Sequence, residues 1–279
     1  MLKYKQTLLH LWERVTRTDI SLTAAGIAFF CFLAIFPALA AVIAIWGFAF
    51  NPVVIQTQLD LVEGYLPAEA FDLLYGQVQR LLASNSRQLG LATVLSTLFA
   101  LWSARAGVGA LIGGLNMIHG YPARNSGHGI LRALLLTLVL VAVALCAMAL
   151  AVVAPLAIAY LPILPVKAAL LQVLNFALGL ALVTMAISFT YRLGPNRPKS
   201  GKRPPFLTIG MVVALVLWAA VSRGFVYYLA NFTSYNQVYG SIGAVVALLM
   251  WIYLSAFAIL LGAAVDAERQ KERAPEPDQ

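Results

Sequence analysis

Six long apolar runs dominate this chain of 279 residues. A helix needs about 20 apolar residues to cross the hydrocarbon core of a bilayer, because each residue rises about 1.5 Å. Since 61% of the residues are hydrophobic and only 11% are charged, little sequence remains for a soluble domain. The sequence therefore predicts an all-α polytopic membrane protein with six transmembrane helices. The runs occupy residues 22–50, 89–113, 130–156, 168–191, 206–230 and 241–264.

The Lys and Arg residues between the runs predict the orientation. Six crossings place both termini on one side, and short loops rich in Lys and Arg tend to stay cytoplasmic. Only Arg80, Arg87 and Lys167 fall on the opposite side. We therefore expect a cytoplasmic segment 1–21 and a cytoplasmic tail 265–279, and we assign the net charge of +8 to topology rather than to a nucleic-acid partner. The predicted cytoplasmic side carries Lys3, Lys5, Arg14, Arg17, Arg124, Arg132, Arg192, Arg197, Lys199, Lys202, Arg203, Arg269, Lys271 and Arg273.

The connection 51–88 is the only long one, and its apolar residues recur at helical spacing on both sides of Pro67. This pattern predicts two short amphipathic external helices between the first and second spans, which form a cap on the 22–264 transmembrane domain.

Arg105 and Arg223 lie inside the second and fifth runs, where an unpaired charge costs several kcal/mol. Arg105 is predicted either to snorkel toward the cytoplasmic interface or to pair with Asp19 or Asp266. Arg223 is close to the outer end of its span and is expected to reach outward. Both arginines are candidates for a substrate pathway.

The polar stretch NFTSYNQVYGS, residues 231–241, separates the fifth and sixth runs. Its amides and phenols either satisfy the backbone of an irregular turn or bind an ion or a polar headgroup. The candidate binding residues are Asn231, Tyr235, Asn236, Tyr239 and Ser241.

Small residues at spacing four predict close packing of the second and sixth spans. In the second span they form two rows, Ala106, Ala110 and Gly114 along one and Gly109 and Gly113 along the other, and in the sixth span they include Gly240 and Gly243. The same small residues are also compatible with a homo-oligomer.

The residues expected of a hydrolytic enzyme are missing. The three histidines, His10, His119 and His128, form neither an HxH nor an HExxH pattern, and GVGALIGG, residues 107–114, is not followed by Lys-Ser/Thr as in a phosphate-binding loop. We therefore expect no enzyme, no metal site and no cofactor.

Three motifs resemble those of the YihY, or BrkB, family of bacterial inner-membrane proteins. They are NFTSYNQVYGSIGAVVALLMWIYLSAFAILLGA (231–263), LWSARAGVGALIGGLNMIHG (101–120) and AAGIAFFCFLAIFP (24–37). The resemblance implies six transmembrane helices and an inner-membrane location. Members carry the name ribonuclease BN, which the missing metal-site residues do not favour, and others are linked to serum resistance, cation–proton exchange and envelope lipid transport. The positions matched are Trp102, Ser103, Asn116, Asn231, Tyr235, Tyr239, Gly240, Ser241, Gly243, Trp251 and Tyr253.

This chain departs from the resemblance at Ala264, where many relatives have a glutamate. A proton-carrying role for that glutamate does not transfer to this chain, and Asp266 is not assumed to replace it.

From the residues and the resemblance together we predict a transporter of an anionic or lipid-like envelope substrate. Its partners are membrane lipids, and its pathway includes Arg105, Arg223, Asn116, Tyr253 and the 231–241 stretch. A cation/proton antiporter is the first alternative, although the spans offer no carboxylate at mid-depth. A non-transporting envelope scaffold is the second.

Overall fold

A computed structural model describes residues 18–49, 86–122, 127–160, 165–198, 204–230 and 233–273, and also residues 75, 76 and 79. These residues form six long helices and no strand. In the apolar interior of a membrane the backbone has no water to hydrogen-bond with, so each run satisfies its N–H and C=O groups within a helix. The helices are α1 Ile20–Ala49, α2 Ser86–His119, α3 Gly127–Tyr160, α4 Pro165–Leu193, α5 Ile209–Ala230 and α6 Thr233–Arg273.

Five stretches are long and apolar enough to cross a membrane, one in each of the helices α2 to α6. In α1 the corresponding apolar segment is the shorter stretch Ile20–Ile35. The all-helical membrane architecture is thus confirmed, and the sixth crossing stays a prediction. The expected external helices of 51–88 lie outside the described residues, apart from helical positions 75, 76 and 79 and the start of α2.

Helix α6 corrects one prediction. It begins at Thr233, so residues 233–241 continue a helix rather than form an irregular turn, and only residues 231 and 232 of that stretch lie outside the description. A helix satisfies the backbone of this polar stretch without side-chain help. The same helix runs to Arg273, well beyond the predicted end of the sixth span at residue 264.

The helices pack in chain order, and α6 closes on α1. The most extensive contacts join α1 to α2 and α5 to α6, and α2 also contacts α6. The contact between α4 and α5 is less extensive than those two. The result is a closed arrangement in which α2 and α6 contact each other directly.

One end of the bundle holds most of the described core. At this end α1, α3 and α5 begin and α2, α4 and α6 end, and because it carries Arg132, Arg192 and Arg197 we call it the basic end. Away from it, no described residue of α4 before Ile187 and none of α5 after Ala214 is buried. The main cluster includes Ile20, Leu115, Ile118, Tyr191, Met211, Leu260 and Ala264.

Candidate functional site

Arg105 lies near the middle of the apolar part of α2. That part runs from Val94 to His119, so Arg105 is eleven residues from one end and fourteen from the other. At about 1.5 Å per residue these separations are about 16 and 21 Å. Snorkelling of Arg105 toward the cytoplasmic interface, on the His119 side, therefore stays a prediction.

The guanidinium of Arg105 points away from the basic end. Its Cζ atom lies 4.9 Å from the centroid of the Trp102 ring, one turn toward the start of α2. A guanidinium over an indole face is held by a cation–π interaction. The Nε atom is buried and has no hydrogen-bond partner in the described part of the chain. Arg105 thus places a charge near the middle of the apolar stretch of α2, and its Nε donor is unused among the described residues.

The two acids proposed as partners of Arg105 have other positions. Asp19 is exposed just before α1, where its φ is 42° and its carbonyl accepts a hydrogen bond from the Thr23 N–H. The carboxylate of Asp266 accepts a hydrogen bond from the Gly210 N–H, with Oδ1 and N 2.7 Å apart. Neither acid forms a salt bridge with Arg105 in the described chain. Asp266 instead caps the first turn of α5, where a negative charge is stabilised by the helix dipole.

The glycines of α2 divide into two faces. A Cβ atom on Gly114 would lie 2.7 Å from Cγ2 of Thr23 in α1 and 3.1 Å from Cδ2 of Leu260 in α6, and one on Gly107 would lie 3.2 Å from Sγ of Cys31. These two glycines allow α1 and α6 to approach closely.

Two of the glycines predicted to pack, Gly109 and Gly113, lie on an open part of the surface of α2. A Cβ atom on Gly109 or Gly113 would meet none of the described residues within 4 Å, because both glycines point away from the side of α2 that carries Gly114. They share an open face with Arg105 and with Trp102, which is 66% exposed. In α6, Gly243 is buried, and the surroundings of Gly240 lie outside the described residues.

Asn116 is buried and structural in this conformation. Its Oδ1 accepts a hydrogen bond from the Asn196 N–H at 2.6 Å, and the Asn196 side-chain oxygen accepts one from Arg132 at 3.0 Å. Gly120, with φ 69°, ends α2 just beyond, and the Tyr121 N–H returns to the Asn116 carbonyl at 2.8 Å. Asn116 thus ties the end of α2 to the segment after α4.

The remaining predicted residues are not gathered around Arg105. Arg223 is exposed on α5, five residues before Tyr228, where the apolar stretch ends, so it can reach the interface. The Tyr253 hydroxyl is hydrogen-bonded to the Ser21 hydroxyl at 2.7 Å and joins α6 to α1. Asn231 lies outside the described residues, as do the side chains of Tyr235, Asn236, Tyr239 and Ser241.

The basic end holds a further group of polar residues that was not predicted as a site from the sequence. Arg192 and Arg197 were assigned only to membrane topology, although the local sequence YRLGPNRP, residues 191–198, also signals a helix end followed by a constrained segment. The side chains that contact this segment, those of Asn116, Tyr121 and Arg132, are far away from it in sequence. No group of three or more His, Cys, Asp or Glu residues suited to a metal occurs within the described ranges.

Comparison with known proteins places these features in a family. The sequence profile of the virulence factor BrkB family matches residues 11–279. The ribonuclease-like protein YfkH of Bacillus subtilis (strain 168) is 29% identical over 273 residues, which cover 95% of this chain and 96% of YfkH. A UPF0761 membrane protein of Xanthomonas axonopodis pv. citri is 45% identical over 56 residues, 20% of this chain and 13% of that protein. No solved structure matches. The chain is therefore a multi-pass membrane protein that belongs to the BrkB family.

Proposed function

We propose that this protein moves an anionic, phosphate-bearing envelope lipid across the bacterial inner membrane and that Arg105 binds the headgroup in transit. The observation that supports this proposal is the position of Arg105 near the middle of the apolar stretch of α2, where it is half-buried and its buried Nε lacks a protein acceptor among the described residues. A charge kept at that depth is costly unless it serves a ligand or a water path.

The surroundings of Arg105 suit a lipid better than a small ion. Gly109 and Gly113 leave open space on the same face of α2 toward the basic end, and Trp102 exposes its ring on that face toward the other end. A phosphate bound at Arg105 can therefore follow this face while its acyl chains stay among the membrane lipids. An arginine donates two parallel hydrogen bonds to a phosphate, which gives both affinity and orientation.

The distribution of carboxylates favours an anion over a coupled cation. The sequence has no Asp or Glu in α1 to α5, and those of α6 fall in its last turns, with Asp266 bound to the start of α5. A cation/proton antiporter would be expected to have a titrating carboxylate within the spans. Ala264, where the family resemblance implies a glutamate, is fully buried in the core.

In this proposal all six helices cross the membrane, and both termini are cytoplasmic. The basic end then faces the negatively charged cytoplasmic leaflet, where Lys and Arg attract anionic headgroups. The rule that basic loops stay cytoplasmic supports this orientation.

A flux assay in proteoliposomes tests the proposal. Fluorescently labelled phosphatidylglycerol is placed in both leaflets of vesicles that contain the wild type, Arg105→Gln or Arg105→Lys. Dithionite quenching then measures the rate at which inner-leaflet lipid reaches the outside. We expect Arg105→Gln to lower the rate about tenfold or more, because a charged hydrogen bond of about 1.5–3 kcal/mol is lost, and Arg105→Lys to lower it less.

Lys271→Gln is the control, because it removes a positive charge from an exposed position near the end of α6, outside the proposed pathway. It is expected to keep the wild-type rate within about twofold, a difference of about 0.4 kcal/mol. A rate for the wild type equal to that of protein-free vesicles would refute transport of this lipid and favour the scaffold. Equal rates for wild type and Arg105→Gln would refute the role of Arg105.

A further inference from the structure

Two arginines lie near each other at the basic end, and among the described residues one carboxylate interacts with Arg197. Arg192 lies in the last turn of α4, and Arg197 lies in the short segment that follows it. They are close enough to repel each other electrostatically, and Asp266 is the carboxylate within range of Arg197. Asp266 is already hydrogen-bonded to the Gly210 N–H. The pair therefore keeps an excess of positive charge.

Both guanidinium groups are held in place by uncharged groups. The Arg192 Cζ atom lies 3.8 Å from the centroid of the Phe206 ring, a cation–π contact that leaves the N–H groups in the plane available. Arg197 donates from Nη2 to the Tyr191 carbonyl at 3.0 Å and hydrogen-bonds the Tyr121 side chain. Fixed donors lose little entropy when they bind an anion.

Arg197 also keeps a donor that the protein does not use. Its Nη1 atom is buried and has no hydrogen-bond partner in the residues that the structure describes. Burial lowers the pKa of Arg197 below its ordinary value, and the nearby Arg192 also lowers it, whereas Tyr121 and Asp266 raise it. An arginine still stays protonated at neutral pH, so the half-buried charge of Arg197 and its unused N–H both favour binding of an acceptor.

We propose that Arg192 and Arg197 form a binding site for a phosphate group at the membrane surface. Phosphate supplies several acceptor oxygens and a negative charge, and it matches the planar N–H pairs of two guanidiniums. The site lies at the end of the apolar part of α4, which runs to Leu193, and we expect this end to lie among the lipid headgroups. The same chemistry is offered by an anionic lipid headgroup and by free phosphate.

This site does not depend on the transport proposed above. Arg105 is about 21 Å along α2 from the basic end, and a headgroup bound at Arg192 and Arg197 requires no passage across the membrane. Loss of one function therefore leaves the assay of the other interpretable.

Calorimetric titration of the purified full-length protein in dodecyl maltoside tests the site. The probes are dihexanoyl phosphatidic acid, inorganic phosphate and dihexanoyl phosphatidylcholine, each kept below its micelle-forming concentration. We expect saturable binding of phosphatidic acid that weakens with salt, and at least about tenfold weaker binding of the zwitterionic phosphatidylcholine. Tighter binding of phosphatidic acid than of phosphate identifies a lipid headgroup site, and equal binding identifies a phosphate site.

Variants at the pair locate the binding. Arg197→Gln and Arg192→Gln are each expected to weaken binding about tenfold or more, and Arg197→Lys less, because each substitution by Gln removes a charged donor. Arg269→Gln, which removes the same charge from α6 at the same end, is expected to change affinity less than about twofold. Wild-type affinity in Arg197→Gln would overturn the site. Equal binding of phosphatidic acid and phosphatidylcholine by the wild type would overturn it without any variant.

Discussion

Replacing Asp266 by alanine removes the carboxylate that caps α5. In the structure its Oδ1 lies 2.7 Å from the N atom of Gly210, a buried residue in the first turn of that helix. A hydrogen bond to a charged group contributes about 1.5–3 kcal/mol, and a negative charge at a helix start adds about 0.3–1 kcal/mol. Asp266→Ala is therefore expected to lower the free energy of unfolding by about 2–3 kcal/mol. Asp266→Asn keeps an oxygen acceptor and should cost about 1 kcal/mol.

The loss can be measured as a shift in thermal midpoint in detergent, from the fraction of protein that stays monodisperse after heating. At about 2 cal/mol/K per residue, a chain of 279 residues unfolds with an entropy of about 0.6 kcal/mol/K. The expected fall in midpoint is then about 3 to 5 °C for Asp266→Ala. Lys271→Ala changes an exposed residue of the same helix and should leave the midpoint unchanged.

A double-mutant cycle with Arg105→Gln separates the cap from the ion pair that the sequence suggested. Because Asp266 and Arg105 have no contact in the structure, their effects on the midpoint should add. The cap is refuted if Asp266→Ala unfolds at the wild-type temperature. The separation of the two residues is refuted if Arg105→Gln removes the effect of Asp266→Ala.

Three further predictions concern packing, a buried hydrogen bond and nuclease activity. Gly114→Leu should abolish monodisperse protein, because even a Cβ atom at this position would lie 2.7 Å from a threonine methyl group of α1. Gly109→Leu should be tolerated. Equal effects of the two substitutions on size-exclusion profiles would contradict the assignment of these glycines to different faces of α2. Asn116→Ala should lower the free energy of unfolding by about 1–3 kcal/mol, because the buried Asn196 N–H loses its acceptor. Met117→Ala, at an exposed position, should lower it less, and the thermal midpoints of the two variants test this difference. Purified protein should not cleave RNA when Mg²⁺ or Mn²⁺ is added, and cleavage that follows the protein through a second chromatographic step would contradict our view that the chain is not a nuclease.

The helices were predictable because membrane solvation leaves few alternatives. An apolar run in lipid must be helical, so α3, α4 and α5 match their predicted runs to within a few residues. The ends of α2 and α6 were less predictable. Asn116 and His119 are polar, but α2 continues through them because protein rather than water surrounds Asn116.

The candidate site was harder to predict because its contacts are not local. The bond from Asn196 to Asn116 joins positions 80 residues apart, and that from Gly210 to Asp266 joins positions 56 apart. Helical periodicity found two rows of small residues in α2, but periodicity cannot tell which row faces a neighbour. The row with Gly114 contacts α1 and α6, and the row with Gly109 and Gly113 remains open.

The Asp266 cap also bears on the order in which the protein is assembled. Asp266 belongs to α6, the last of the described helices to be synthesised, yet its partner is the first turn of α5, and the Tyr191 hydroxyl of α4 donates to the Ile259 carbonyl of α6. Helices of membrane proteins insert first and associate afterwards. During translation α4 and α5 therefore wait in the membrane without these partners, and the basic end can close only after α6 has been inserted. A ribosome that stalls before α6 would leave an inserted but unlocked bundle, the form that membrane quality-control proteases would be expected to degrade.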